Sequence, residues 1–362
     1  MNNLTKSKRF PNLTPIRFIL ALLVVIYHIA QFSENRDFPF YNDLAIFHKG
    51  TEAVYMFFSL SGFLIIKQLY DEKNNTNSIH LKSFYLRRIL RIFPLYYLVV
   101  IIGFLYYYLI LPFFGFEFEN NYDLLSGILL SITFFPNIFS TYSPGGILEI
   151  LWSIGIEEQF YLFIAPLFLL LPLKRMVLFL GGFTAIYFIV YFSKYIDFLK
   201  TYNMLFFYFS FGGICSILLS QSIIKSFIKK FRYLFLLIFI IYFTTAIFSN
   251  NLNIIYYNLF SLILFGLTIS ALTIKPIKIL QNKTMDYLGK ISYGIYMYHA
   301  IAMQLVGFIY LKVISKFGFH NTFDVLILNF TIIILTILIS HFSFKYYESY
   351  FLNIKRKASI KR

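Results

Sequence analysis

Two ionisable residues lie in one apolar stretch near the start of the chain. Arg17 and His28 both fall within residues 13–31, a run otherwise typical of a membrane helix. Ionisable groups inside a membrane are costly, so they are functional-site candidates. The eleven-residue spacing corresponds to roughly 16 Å along a helix and to nearly the same face. A guanidinium can bind an anion and an imidazole can exchange a proton near neutral pH.

A second cluster of cations lies at the predicted cytoplasmic mouth of the third membrane span. It consists of Arg87, Arg88 and Arg91. Arg88 and Arg91 are one helical turn apart and could hold one anionic ligand between two guanidinium groups, whose geometry suits phosphate. The alternative is that all three are ordinary anchors in the lipid headgroup region.

Two adjacent acids, Glu157 and Glu158, lie one to two turns inside a later apolar stretch. Neighbouring residues on a helix point about 100° apart, so at most one of them should face a given cavity. Acids near an interfacial tryptophan can simply cap a helix N-terminus. Both lie beyond the first turn, however, which favours a buried or functional role. Which of the two is functional stays open.

Two further motifs are weaker signals. Ser59, Ser61 and Gly62 are small residues that predict close packing of the second helix against a neighbour. Residues 288–299 end in a second intramembrane histidine, His299. A lone histidine among tyrosines is more typical of a hydrogen-bonded core residue than of a catalyst.

Composition excludes a soluble globular protein. Of the 362 residues, 59% are hydrophobic and only 13% are charged, which leaves too little polar surface. The formal net charge is +16, but the basic residues cluster between apolar runs. They therefore indicate membrane topology and contact with anionic lipid, and no nucleic-acid partner is expected. No metal site and no permanently bound cofactor are expected either.

Ten apolar stretches are long enough to cross a bilayer of about 30 Å, which requires roughly 20 residues. We therefore predict an all-α polytopic bundle of transmembrane helices. The predicted spans are 13–32, 51–69, 89–112, 148–172, 176–193, 203–220, 232–249, 254–274, 288–311 and 323–345.

An eleventh apolar stretch, residues 122–140, decides the topology. If it crossed the membrane, the basic clusters from Lys174 onward would lie outside; if it does not, they all lie in the cytoplasm. The positive-inside rule favours the second arrangement. We predict a re-entrant or interfacial helix on the outer side, with both termini cytoplasmic. Residues 1–350 then form one membrane domain and residues 351–362 a basic cytoplasmic tail.

In these motifs the chain resembles the membrane-bound acyltransferase family 3, which acylates sugars, glycolipids and cell-wall polymers in many bacteria. The resemblance covers nearly the full length. Each motif is weak alone, but five in order on a ten-span frame are specific. They are Arg17 with His28, and residues 57–64, 87–94, 151–161 and 289–293.

The resemblance implies acetyl-coenzyme A or a related thioester as co-substrate, a histidine as general base, and arginines that hold the coenzyme. On this sequence it implies catalytic roles for His28 and for Glu157 or Glu158, which could orient the imidazole or bind sugar hydroxyls. The residues expected to bind the coenzyme or the acceptor are Arg17, Arg87, Arg88, Arg91, Trp152, Ser153, Tyr161, Ser292 and His299.

The expected function is that of an integral-membrane O-acyltransferase in a bacterial cytoplasmic membrane. It would transfer acetyl from acetyl-coenzyme A to a hydroxyl of a cell-surface or lipid-linked saccharide, with membrane lipids as its surroundings. The alternative is a transporter or flippase for a lipid-linked sugar or organic anion. Intramembrane charges are equally compatible with a transport function. A scaffold within a polysaccharide assembly complex is a third hypothesis, motivated by the 22% aromatic content.

Overall fold

The computed structural model describes residues 10–38, 40–41, 43–116, 121–312 and 322–360. Most of these residues lie in helices joined by short turns and loops, and they contain no β-strand. The predicted all-α class is confirmed. Within that part of the chain, fourteen α-helices have eight or more residues. They are α1 (Leu13–Glu34), α2 (Gly50–Thr76), α3 (Leu81–Leu105), α4 (Leu124–Ile132), α5 (Trp152–Leu170), α6 (Leu173–Phe192), α7 (Phe206–Leu218), α8 (Ser222–Lys230), α9 (Arg232–Thr244), α10 (Ile254–Ile274), α11 (Lys283–Lys290), α12 (Ser292–Lys312), α13 (Thr322–Phe342) and α14 (Ser349–Ile360).

Seven helical segments are long and apolar enough to cross a membrane. Helices are the expected solution, because a helix satisfies its own backbone hydrogen bonds where no water is available. The chain is therefore an integral membrane protein. The seven segments are Leu13–Glu34, Gly50–Thr76, Leu81–Phe113, Gly146–Leu170, Leu173–Phe192, Ile254–Ile274 and Phe323–Ile354.

The predicted count of ten spans is not confirmed. The expected span 203–220 breaks after Leu218, where α7 and α8 form a pair bent by 107°. The expected span 232–249 contains α9, whose 13 residues reach only about 20 Å. The expected span 288–311 contains α12, which has 21 residues but is not one of the seven. The described residues thus support seven spans, or eight if the bent pair crosses once.

Residues 122–140 form no spanning helix, in agreement with the sequence-based interpretation. Helix α4 has nine residues and is about 14 Å long, less than half the hydrocarbon thickness. The Asp123 carboxylate caps its N-terminus by accepting from the backbone N–H of Ser126 at 3.0 Å. The chain then turns at Phe134, which has a positive φ of 62°. The side of the membrane on which this segment lies stays a prediction.

Close packing between α2 and α7 fixes the centre of the bundle. A Cβ placed on Gly62 would lie 2.0 Å from the carbonyl oxygen of Phe209, and one on Gly212 would lie 2.1 Å from that of Ser59. Only glycine allows two backbones to approach this closely. The predicted packing role of Ser59 and Gly62 is therefore confirmed.

A buried cation joins α2 to the end of α5. The Nζ atom of Lys73 donates to the carbonyl oxygens of Phe168 at 2.8 Å, Leu169 at 2.8 Å and Leu171 at 2.5 Å. The last carbonyls of a helix have no partner within the helix, and a cation also complements the helix dipole there. Lys73 thus sets the position of α5 relative to α2.

Helix α3 begins earlier than predicted. It starts at Leu81, eight residues before the expected residue 89. Arg88 and Arg91 therefore lie two to three turns inside the helix rather than at its mouth. Because α3 packs against α5 and α12, these arginines can face the interior of the bundle.

Candidate active site

A polar cavity lies between α1, α2, α3, α5 and α12. Its volume is about 110 Å³, enough for several water molecules. Apolar side chains of α2 and α5 form part of the wall, as is common for ligand sites. The lining residues with polar side chains are Arg17, Ser61, Arg88, Arg91, Ser153, Glu157, Tyr161, Ser292, Tyr293 and Tyr296.

Three arginines from two helices converge on this cavity. Arg17 comes from the second turn of α1, and Arg88 and Arg91 come from successive turns of α3. None of the three forms an ion pair or a hydrogen bond with a residue that the structure describes, and the Nε atom of Arg88 is buried without a partner. Three guanidinium groups in one cavity, with fewer carboxylates than cations in the lining, can bind an anion.

Glu157 is the carboxylate of the cavity. Its Oε1 atom accepts a hydrogen bond from Ser61 Oγ at 2.6 Å and another from the hydroxyl of Tyr161, one turn along α5. The charge of Glu157 also acts on Arg17 and Arg91. One carboxylate faces three guanidinium groups, so the lining keeps a positive excess.

Glu158 points elsewhere. It does not line the cavity, and its Oε1 atom is buried without a hydrogen-bond partner. Its charge acts on Tyr96 and Tyr97 of α3, and it also interacts with Arg88 and Tyr293 of the cavity wall. The angle of about 100° between neighbouring helical residues separates the two acids, so Glu157 alone is placed to contact a ligand in the cavity.

A hydrogen-bonded pair forms the wall between α5 and α12. The hydroxyl of Tyr296 donates to the carbonyl of Ile150 at 2.8 Å, so the Ser153 hydroxyl, 2.7 Å from it, must be the donor in their mutual contact. Ser292, at the start of α12, donates to the carbonyl of Gly289 at 3.0 Å. Both serines lie on the cavity surface, where sequence analysis expected ligand contacts.

The two intramembrane histidines form a pair outside the cavity lining. His28 Nδ1 lies 3.0 Å from His299 Nε2, and the rings stack with centroids 5.0 Å apart. His299 is fully buried, whereas His28 is partly exposed. The described hydrogen bonds join His28 to His299 of α12 and not to Glu157 or Glu158, so a role for either acid in orienting His28 stays a prediction.

Besides His299, two other residues expected to bind the coenzyme or the acceptor are not brought to the cavity. Arg87 points away from it and lies 3.6 Å from the Glu72 carboxylate at the end of α2. Trp152 packs edge-on against Phe58, with ring centroids 5.9 Å apart. Neighbouring positions on α3 and α5 face different directions, which accounts for both differences.

Sequence analysis missed Ser61, Tyr293 and Tyr296 as lining residues. Ser61 was assigned to packing together with Ser59, but two residues along a helix correspond to a rotation of about 200°. Ser59 therefore faces α7 while Ser61 faces Glu157. The helical rotation between Ser59 and Ser61 could therefore have identified Ser61 as a lining residue. Nothing comparable distinguishes Tyr293 and Tyr296 in a chain with 30 tyrosines.

Comparisons with known proteins identify the family of the chain. A family model described as an acyltransferase domain matches residues 11–342. ORF330 of Acidianus two-tailed virus, named as a candidate acetyltransferase, is 28% identical over 323 residues, which cover 85% of this chain and 88% of that protein. No solved structure matches the chain.

Two bacterial relatives are longer proteins. Peptidoglycan O-acetyltransferase OatA of Listeria monocytogenes is 30% identical over 176 residues, which cover 46% of this chain but only 25% of OatA. A candidate O-acetyltransferase of Staphylococcus aureus, SACOL0978, is 30% identical over 184 residues, covering 47% of this chain and 27% of that protein. Because the family match extends over nearly the whole sequence and includes every helix of the cavity, the chain belongs to the membrane-bound acyltransferase family 3.

Proposed function

We propose that this protein transfers an acetyl group from acetyl-coenzyme A to a hydroxyl of a cell-surface or lipid-linked saccharide, in a bacterial cytoplasmic membrane. The observation that carries the proposal is the cluster of three unpaired arginines in one intramembrane cavity of an acyltransferase-family chain. A buried excess of positive charge is costly unless a ligand neutralises it. A co-substrate that carries several phosphate groups fits that requirement.

The arginines would bind the phosphates of the coenzyme. Guanidinium groups form paired, charge-assisted hydrogen bonds with phosphate oxygens. Arg88 and Arg91 on successive turns of α3 would hold one phosphate group between them, and Arg17 on α1 would reach the same ligand from the opposite wall. The thioester end would then extend along α1 towards His28, which is roughly 16 Å further along the helix axis.

His28 would act as the general base. Its imidazole would take the proton from the acceptor hydroxyl while that oxygen attacks the thioester carbonyl. Collapse of the tetrahedral intermediate breaks the carbon–sulfur bond, and the proton held by His28 can pass to the departing thiolate. The products are an O-acetyl ester and coenzyme A.

Glu157 would align the groups that meet in the cavity. It is held from one side by Ser61 and from the other by Tyr161, so its free oxygen has a fixed direction. A carboxylate in this position can accept from a saccharide hydroxyl or balance the charge of the arginines. Support for a saccharide acceptor also comes from OatA, whose name describes O-acetylation of peptidoglycan.

The test is acetyl transfer by purified protein in lipid nanodiscs, supplied with radiolabelled acetyl-coenzyme A and a panel of polysaccharide acceptors. General-base assistance is typically worth about 10²–10⁴ in rate. We therefore expect His28→Ala to lose at least about a hundredfold of transfer, with expression and coenzyme affinity close to those of the unmodified protein.

His28→Gln is the matched variant, because glutamine keeps a hydrogen-bond donor and acceptor but cannot take a proton at neutral pH. We expect it to be as inactive as His28→Ala. Full transfer by His28→Gln would refute the base assignment. Movement of a labelled sugar into liposomes without any covalent acetylated product would refute the proposed enzymatic activity and support a transport function.

A further inference from the structure

The imidazoles of His28 and His299 form a hydrogen-bonded pair between α1 and α12. His28 Nδ1 and His299 Nε2 are 3.0 Å apart, and the ring planes differ by 21°. Two ring nitrogens at this distance form a hydrogen bond only when one proton lies between them. The pair is therefore informative about where each ring carries its proton.

The far side of His299 fixes its tautomer. Its Nδ1 atom is hydrogen-bonded to the backbone carbonyl of Tyr296, one turn earlier on α12. A carbonyl oxygen can only accept, so this nitrogen must carry a proton. His299 is fully buried. A neutral imidazole has a single proton, which leaves Nε2 of His299 as the acceptor of the hydrogen bond that joins the rings.

We propose that His299 is a positioning residue that keeps the proton of His28 on Nδ1 and so presents the lone pair of His28 Nε2 to the acceptor hydroxyl. This inference rests on the proposed function of His28 as the base. The fully buried His299 cannot reach a substrate itself, whereas the partly exposed His28 can. When His28 takes up a proton, its Nδ1–H still donates to His299, which stabilises the charged ring.

The carbonyl that starts this chain of hydrogen bonds belongs to a residue of the cavity wall. Tyr296 lines the cavity, and its hydroxyl is tied to Ser153 and to the carbonyl of Ile150 on the opposite side. The turn of α12 that holds His299 is thus part of the same rigid wall that faces the arginines. Helix α12 thus contacts both His28 and the cavity that holds the arginines.

The first measurement is independent of activity. Nitrogen NMR of the ¹⁵N-histidine-labelled protein in nanodiscs reports the tautomer of each of the six histidines, and His28→Ala and His299→Gln identify the two signals. We expect both His28 and His299 to be neutral with the proton on Nδ1. A His28 signal with its proton on Nε2 would overturn the proposal, whether or not the protein is an acyltransferase.

The second measurement compares two variants of similar volume. His299→Gln offers an amide oxygen to His28 Nδ1–H, whereas His299→Met offers no strong acceptor. We expect His299→Met to reduce kcat at least about tenfold, with KM for acetyl-coenzyme A within about twofold, and His299→Gln to recover kcat to within about threefold of the unmodified protein. Equal kcat values for the methionine and glutamine variants would overturn the positioning role of His299.

If neither variant folds, the tautomer of His28 in the unmodified protein decides whether the proposal holds. If the protein shows the expected tautomers but no transferase activity, the proposed function is overturned while the His28–His299 hydrogen bond stands.

Discussion

Replacing Arg91 with alanine should weaken binding of coenzyme A by about 10- to 150-fold. Arg91 lines the cavity and has no ion pair or hydrogen bond with any described residue, although the charges of Glu157 and Glu348 interact with it. Its removal breaks no hydrogen bond within the described residues, so most of the effect should fall on the ligand. A hydrogen bond to a charged group is worth about 1.5–3 kcal/mol, and about 1.4 kcal/mol corresponds to a factor of ten in Kd.

The matched control is Arg87→Ala on the same helix. Arg87 lies 3.6 Å from Glu72 and outside the cavity, in a partly exposed pair of the kind that contributes at most about 1 kcal/mol to folding. We expect its coenzyme affinity to change less than about threefold. Arg91→Lys, which keeps the charge but loses the planar pair of donors, should fall between the unmodified protein and the alanine variant.

Isothermal titration calorimetry in nanodiscs, with coenzyme A and with dephospho-coenzyme A, measures these differences directly. If Arg91 binds the phosphate that dephospho-coenzyme A lacks, the unmodified protein should prefer coenzyme A and Arg91→Ala should not. The reasoning fails if Arg91→Ala binds coenzyme A as tightly as the unmodified protein. It also fails if Arg87→Ala loses as much affinity, because both arginines would then act only through the general charge of the membrane surface.

Two further predictions concern the frame that positions the cavity. Gly62→Ala should lower the thermal stability of the detergent-solubilised protein, because the added Cβ would lie 2.0 Å from a backbone oxygen of α7. Gly181→Ala is the control, because a Cβ added at Gly181 would meet no atom of a neighbouring element within 4 Å. We expect this control to be neutral or to stabilise the protein by up to about 1 kcal/mol. Lys73→Met should cost about 1–3 kcal/mol of unfolding free energy, because it leaves buried carbonyls at the end of α5 without their hydrogen-bond donor. Lys82→Met, at an exposed position, should change the unfolding free energy little. Unchanged melting temperatures for both Gly62→Ala and Lys73→Met would contradict the packing described here.

Sequence alone determined the class of the protein and most of its long helices. Membrane insertion depends on the local density of apolar residues, which can be read directly along the chain. Seven of the predicted spans correspond to helical segments that meet the length and apolarity requirements. The break after Leu218 was not visible in the same way, because α7 and α8 are joined by residues whose composition is compatible with either a bend or a continuous helix.

The sequence also indicated much of the site, because charged residues inside apolar runs are rare and costly. Arg17 and Glu157 were selected on that basis, Arg88 and Arg91 because they lie one helical turn apart, and all four line one cavity. Their convergence does not depend on any single motif. It follows from the requirement that a charge within a membrane bundle faces the interior or another polar group.

Only the tertiary structure decided which residues meet. The helical period fixes the angle between Glu157 and Glu158, but which of them faces the cavity depends on the helices packed around α5. The same holds for Ser61, whose direction is set by the close contact of Gly62 with α7. His28 and His299 are 271 positions apart, and their contact exists because α1 and α12 are neighbours. Pairing between distant helices depends on the shapes of both surfaces at once, which no local pattern in the sequence records.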